Sequence, residues 1–193
     1  MKEKEKKMYT LLLLLIYLAF ISLGLPDSLL GSAWPVMHKA FQVPLSYAGL
    51  VTMIISGGTI CSSLMSERLT KKFGTQIVTV FSVMLTAIAL FGFSTASAFW
   101  MLCLWAIPYG LGAGAIDAAL NNYVALHYNS RHMSWLHCFW GLGTIISPYV
   151  MSYALTTSVW QNGYRMVSFI QIGITLILFV TLPIWKVNKK ETA

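Results

Sequence analysis

The sequence predicts an all-α membrane protein with six transmembrane helices, and three observations carry that prediction. Of 193 residues, 57% are hydrophobic and only 10% are charged, where a soluble domain carries about 25% charged residues. Mean hydropathy is +0.69. The apolar residues fall in six long runs, and about 20 helical residues suffice to cross a bilayer. The runs are continuous and do not alternate, which excludes the strands of a membrane barrel.

The chain opens on a charged cap, MKEKEKK. Leu11 to Phe20 have the character of a signal-peptide core. However, Glu3 and Glu5 spoil the basic flank, no small-residue cleavage site follows, and the apolar run continues to about Val36. The first span covers about 8–36 and is interrupted at Gly24, Pro26 and Asp27. Proline removes a backbone donor and kinks a helix, and such a break is tolerated at membrane depth only against protein or water. Asp27, Gly31 and Trp34 are expected to share a face. The second span, about 44–65, carries the small polar stretch Ser56, Gly57, Gly58, Thr59, Ser62 and Ser63. A short basic turn, 66–75, follows with Glu67, Arg68, Lys71, Lys72 and Gly74. The third span is about 76–93, and 94–98 is a tight uncharged turn. The fourth is about 99–127, and a linker with Asn129, Ser130 and Arg131 leads to the fifth, about 133–157, which contains Gly141, Gly143 and Pro148. After a short loop at 159–164 the sixth span covers about 165–185, and the tail VNKKETA is polar.

The net charge of +7 is a matter of topology, not of nucleic-acid binding, because the basic residues sit in short segments between spans. Lys2, Lys4, Lys6, Lys7, Arg68, Lys71, Lys72, Arg131, Lys186, Lys189 and Lys190 fall on one side, with only Lys39 and Arg165 opposite. That imbalance is expected to place both termini in the cytoplasm; the chain is expected in the cell (plasma) membrane, with the bilayer as its first partner. Cys61, Cys103 and Cys138 have neither metal-ligand spacing nor the even count of a disulfide framework, and read as small hydrophobes in helix packing. Gly112-x-Gly114 follows no strand and precedes no phosphate-binding lysine, so it is no nucleotide motif. Nothing calls for a metal or other cofactor, and no nucleophile and base of an enzyme stand out.

Of the six acids, only Asp27 and Asp117 fall inside spans, both within about 10 Å of the midplane by helix length. An acid at the centre of a membrane helix costs about 2.5–3.5 kcal/mol and seldom faces lipid. On a helix, Gly110, Gly114, Asp117 and Asn121 lie at i, i+4, i+7 and i+11, one face that is expected to line something polar. Desolvation favours the neutral form of a carboxyl group, so Asp117 is either a proton carrier in a solute pathway or an acid that pairs between helices. Asn121 either binds a solute hydroxyl or makes an interhelical hydrogen bond. Asp27 either binds solute hydroxyls or takes part in coupling, or else caps the broken half-helix. His137 either relays a proton or binds a polar solute, or else sits at the interface about one turn from the surface. Trp34, Trp105 and Trp140 offer rings for a sugar to stack on, although tryptophan is also a belt and packing residue.

The chain resembles the N-terminal half of a major facilitator superfamily transporter. The resemblance rests on six spans with a basic loop between the second and third. That loop is similar to a decayed form of the superfamily's signature, with Phe73-Gly74 matching, Glu67 in place of the leading glycine and Lys71 in place of its acid. Gly112-Ala-Gly-Ala-Ile-Asp-Ala-Ala-Leu-Asn-Asn-Tyr-Val124 is similar to the fourth span of the fucose permease-like branch, with Asp117 in place of the usual Glu and Asn121 four residues on. Gly24 to Pro35 and Phe139 to Pro148 also resemble spans of that branch. The resemblance implies a 3+3 inverted repeat forming half of the fold, and proton-coupled symport of a sugar or similar small polar solute. Asp117 would be the coupling acid, Asp27 a substrate-side acid, and Glu67, Arg68, Lys71, Lys72 and Gly74 a gating loop. A second six-helix half or a second copy would complete the cavity. A proton-driven exporter and a truncated, non-transporting membrane subunit are the alternatives.

Overall fold

The computed structural model describes residues 3–185, and all of the regular structure among them is helical. Helices α1 (Glu3–Gly24) and α2 (Leu29–Ala40) make the first span. They are followed by α3 (Tyr47–Phe73), α4 (Thr75–Thr95), α5 (Phe99–His127), α6 (Ser130–Thr157), α7 (Trp160–Val180) and a single turn, α8 (Leu182–Trp185). Counting α1 and α2 as one, six helical segments among the described residues are long and apolar enough to cross a membrane. Lys2 and the tail lysines Lys186, Lys189 and Lys190, which enter the charge count, lie outside the described residues.

The first span breaks at Pro26, and its neighbours repair the break. Pro26 has no N–H, so the Ser22 carbonyl, four residues earlier, loses its helical donor. Gln171 of α7 replaces it, donating from Nε2 to Ser22 O at 2.6 Å. Gln171 is buried, and its Oε1 accepts from the Thr86 hydroxyl of α4 at 3.1 Å. The backbone then closes through Asp27 N–H to Gly24 O at 3.3 Å and Leu29 N–H to Pro26 O at 3.1 Å, after which α2 resumes.

Helix α3 packs along α5, α1 along α6, and α4 along α7. A two-fold relation that carries spans one to three onto spans four to six exchanges the first two pairings and maps the third onto itself. These three pairings fit a 3+3 inverted repeat, while α4 also packs along α5 without an equally extensive counterpart between α7 and the first span. Both exchanged crossings are close contacts through glycine, as small-residue packing in membranes favours. A Cβ placed on Gly58 would lie 3.1 Å from the Leu111 nitrogen, and one on Gly143 would lie 2.8 Å from the Leu25 nitrogen. Hydroxyls fasten the first crossing: Thr59 donates to Gly110 O at 3.3 Å, Ser63 to Gly114 O at 3.1 Å and Ser66 to Ala115 O at 3.2 Å.

Several boundaries differ from the sequence reading. The second span does not end at a basic turn: α3 continues to Phe73, so Glu67, Arg68, Lys71 and Lys72 are helical and only Gly74, at φ 89°, leaves the helix. Glu, Arg, Leu and Lys are good helix formers, and Lys71 pairs with Glu67 one turn back at 2.6 Å. Ser130 and Arg131 belong to α6, and the loop expected at 159–164 shrinks to Ser158 and Val159. The sixth span ends at Val180, because Pro183 lacks the N–H that would continue it. Cys61 and Cys138 are free thiols on exposed faces, not in helix packing, and Cys103 is half-buried.

Candidate functional site

The break at Pro26 leaves Asp27 outside both half-helices, on a groove of about 320 Å³. Phe20 and Leu23 of α1, Ile55 and Thr59 of α3, Tyr109, Ala113 and Asp117 of α5, and His137 and Trp140 of α6 line it with Asp27. Asp27 is open to the groove and anchored from two helices. The buried Tyr109 donates its O–H to Oδ1 at 3.0 Å, and Trp140 donates Nε1–H to Oδ2 at 2.8 Å. A carboxylate has about four acceptor positions, so two remain for another donor.

Asp117 stands two turns beyond Tyr109 on α5, half-buried, on the same groove. Asn121 donates from Nδ2 to Asp117 Oδ1 at 3.0 Å and to the Asp117 carbonyl at 3.0 Å. Asn121 therefore holds the acid and is not among the groove's lining residues. His137 is exposed on the groove, its ring edge-on to Phe20 at 6.2 Å and 83°. With α6 beginning at Ser130, His137 lies about two turns into the helix, deeper than expected.

Trp34 does not join the site. It is 4% exposed, donates Nε1–H to Leu45 O at 2.7 Å and packs edge-on to Phe99 at 6.3 Å. The break explains this: a continuous helix sets Asp27 and Trp34 on one face, and the turn at Pro26 destroys that phase. The expected polar face of α5 also divides. Gly110 and Gly114 press against α3, where an added Cβ would strike the Ile55 and Thr59 carbonyls, and only Asp117 turns into the groove, with Tyr109 and Ala113. Glu67, Arg68, Lys71, Lys72 and Gly74 lie at the end of α3, apart from the groove. Among the described residues no three His, Cys, Asp or Glu side chains come together as a metal site.

Sequence reasoning missed two residues. Gln171 carried a signal, since an amide in the middle of a membrane span needs a partner. Tyr109 carried almost none, because a tyrosine in an apolar run is ordinary until its partner across the helix gap is known.

A sequence profile of the Major Facilitator Superfamily matches residues 16–193. The chain belongs to the major facilitator superfamily. Proteins of this superfamily are transporters and not enzymes, and the six helices with their pairing make half of the major facilitator fold. Among curated proteins, the chain is similar to the Saccharomyces cerevisiae protein "Bypass of stop codon protein 6", at 23% identity over 163 residues, 83% of this chain and 33% of that protein. It is also similar to the "Glucose/mannose transporter GlcP" of Bacillus subtilis, at 22% identity over 181 residues, 92% of this chain and 44% of that protein. The chain thus spans less than half the length of either relative.

Proposed function

We propose that this chain forms one half of a proton-coupled symporter of the fucose permease-like branch, moving a sugar or similar small polar solute across the cell membrane, with both termini cytoplasmic. A second six-helix half completes the cavity, either a second copy of this chain or another polypeptide segment. The observation that carries the reading is that the two carboxylates of the membrane spans open on one groove. Asp27, held by Tyr109 and Trp140, accepts hydrogen bonds from solute hydroxyls, and the Trp140 ring offers a stacking face. Asp117 is the coupling acid, oriented by Asn121, and His137 exchanges protons with it across the groove. The helical end of α3, with Glu67, Arg68, Lys71, Lys72 and Gly74, is the gate. The Bacillus subtilis relative's name supports a sugar.

The test is uptake of radiolabelled glucose and mannose into proteoliposomes under an inward proton gradient, using the full chain with whatever second half co-purifies. Gradient-driven uptake should be lost in Asp117→Asn while solute exchange without a gradient persists, because exchange needs binding but no net proton release. Gradient-driven uptake that survives Asp117→Asn unchanged sinks the coupling role. Solute driven outward against the proton flow makes the chain half of an exporter.

A further inference from the structure

Helices α3 and α4 are consecutive, yet each leans on α5 more than on the other. Only Gly74 joins them, and its positive φ turns the chain within one residue. They therefore splay and leave a groove of about 550 Å³ on the outside of the bundle. Leu69 and Phe73 form one wall, Ile77 and Phe81 the other, and Ala115 of α5 lies on the floor. The lining is almost wholly apolar, and the groove is distinct from the one that holds Asp27 and Asp117. At its Gly74 end the character changes. The Lys72 ammonium sits 5.2 Å from the centroid of the Phe73 ring that lines the groove, and Arg68 lies one turn before it. Lys71 is engaged by Glu67, but Lys72 has no carboxylate partner among the described residues.

The 27 residues of α3 make about 40 Å of helix at 1.5 Å per residue. The hydrocarbon core is about 30 Å thick, so the last turns of α3 reach headgroup depth. An apolar trough that starts within the hydrocarbon and ends beside the Lys72 ammonium at headgroup depth, with Arg68 one helical turn before it, matches one chemistry: an acyl chain attached to an anionic headgroup. We propose that this groove is a binding site for an anionic phospholipid, with an acyl chain against Leu69, Phe81 and Ala115 and the phosphate on Lys72 and Arg68.

The test is native mass spectrometry of the full chain in mild detergent, titrated with phosphatidylglycerol and, separately, with phosphatidylcholine. Phosphatidylglycerol should bind more tightly. A basic residue near an anionic lipid surface contributes about fivefold in affinity, so Lys72→Gln should weaken phosphatidylglycerol binding about fivefold and Arg68→Gln/Lys72→Gln should abolish the preference. Both changes are on exposed side chains, and an unchanged unfolding midpoint confirms that the fold is intact. Ala115→Phe, which fills the floor, should weaken both lipids alike. Equal affinity for the two lipids overturns the proposal, as does a preference that survives the double change. Glycerol phosphate binding as tightly as phosphatidylglycerol overturns it in favour of a soluble phosphate site. An assembled complex that retains no phosphatidylglycerol overturns it in favour of a protein helix on this face.

Discussion

Tyr109 and Trp140 reach Asp27 from different helices, and the difference in their burial separates what each does. Tyr109 is 4% exposed and fixes one carboxylate oxygen from the protein side, while Trp140, 37% exposed, presents its ring to the groove as it donates to the other oxygen. A hydrogen bond to a charged group contributes about 1.5–3 kcal/mol, and 1.4 kcal/mol is a tenfold change in affinity. Trp140→Phe keeps a ring and removes the donor, so it should raise the solute concentration for half-maximal uptake about tenfold with little change in unfolding midpoint. Tyr109→Phe should lower the midpoint as well, because it disturbs a buried contact. A Trp140→Phe protein with wild-type concentration dependence means that the Trp140 bond does not position Asp27 for the solute. At this scale the two intramembrane acids, His137 and Trp140 were legible in the sequence, because polar groups within apolar spans are few and each needs a polar neighbour. Trp34 and Asn121 were not. One is carried out of phase by the proline break, and the other turns back to its own helix, which spacing alone does not reveal.

Among the elements, the first span rests on a repair that comes from 149 residues away in sequence, the Gln171 bond to the Ser22 carbonyl. A buried carbonyl left without a donor costs about 1–3 kcal/mol, and in a chain of this size 1 kcal/mol moves the unfolding midpoint by about 2–4 °C. Gln171→Met keeps the volume and removes the donor, so it should lower the midpoint in detergent by several degrees. Pro26→Ala restores a backbone N–H that can reach Ser22 O. In that background Gln171→Met should cost much less, a non-additivity expected only of groups that share a partner. Equal costs in the two backgrounds mean that Gln171 serves only its bond from Thr86. The position of the break was legible, since Pro26 stands with Gly24 and Asp27 where Pro35, Pro108 and Pro148 lie within continuing helices, but the repair depends on which helix lies opposite. Helix ends were read less well than helix existence. The α3 end was placed too early because a cluster of basic residues reads as a loop, although lysine and arginine extend a helix as readily as they leave one.

The described residues leave the polar groove open on one side, where the proposed second half would lie against it. Asp27 and Asp117 both line the open groove, in spans that cross the membrane. Each such acid costs about 2.5–3.5 kcal/mol at the centre of a bilayer, so neither is stable against hydrocarbon. The flanking helices agree. Of the six spans, α3 and α6 bury the smallest share of their apolar stretch within the bundle, and α4 the largest. They stand on either side of the groove, with Ile55 and Thr59 on one and His137 and Trp140 on the other. A second body across α3 and α6 would cover the acids and these outer faces at once. The mass of the detergent-purified complex should therefore exceed the 21.5 kDa of one chain, reaching either two copies or one copy with a second membrane segment of similar size. A charge placed on the outer face of α6 at Tyr149, which is 74% exposed, should return the mass to one chain if that face is the junction. A wild-type complex of one chain alone would leave two carboxylates facing lipid and would remove the basis for transport through this groove.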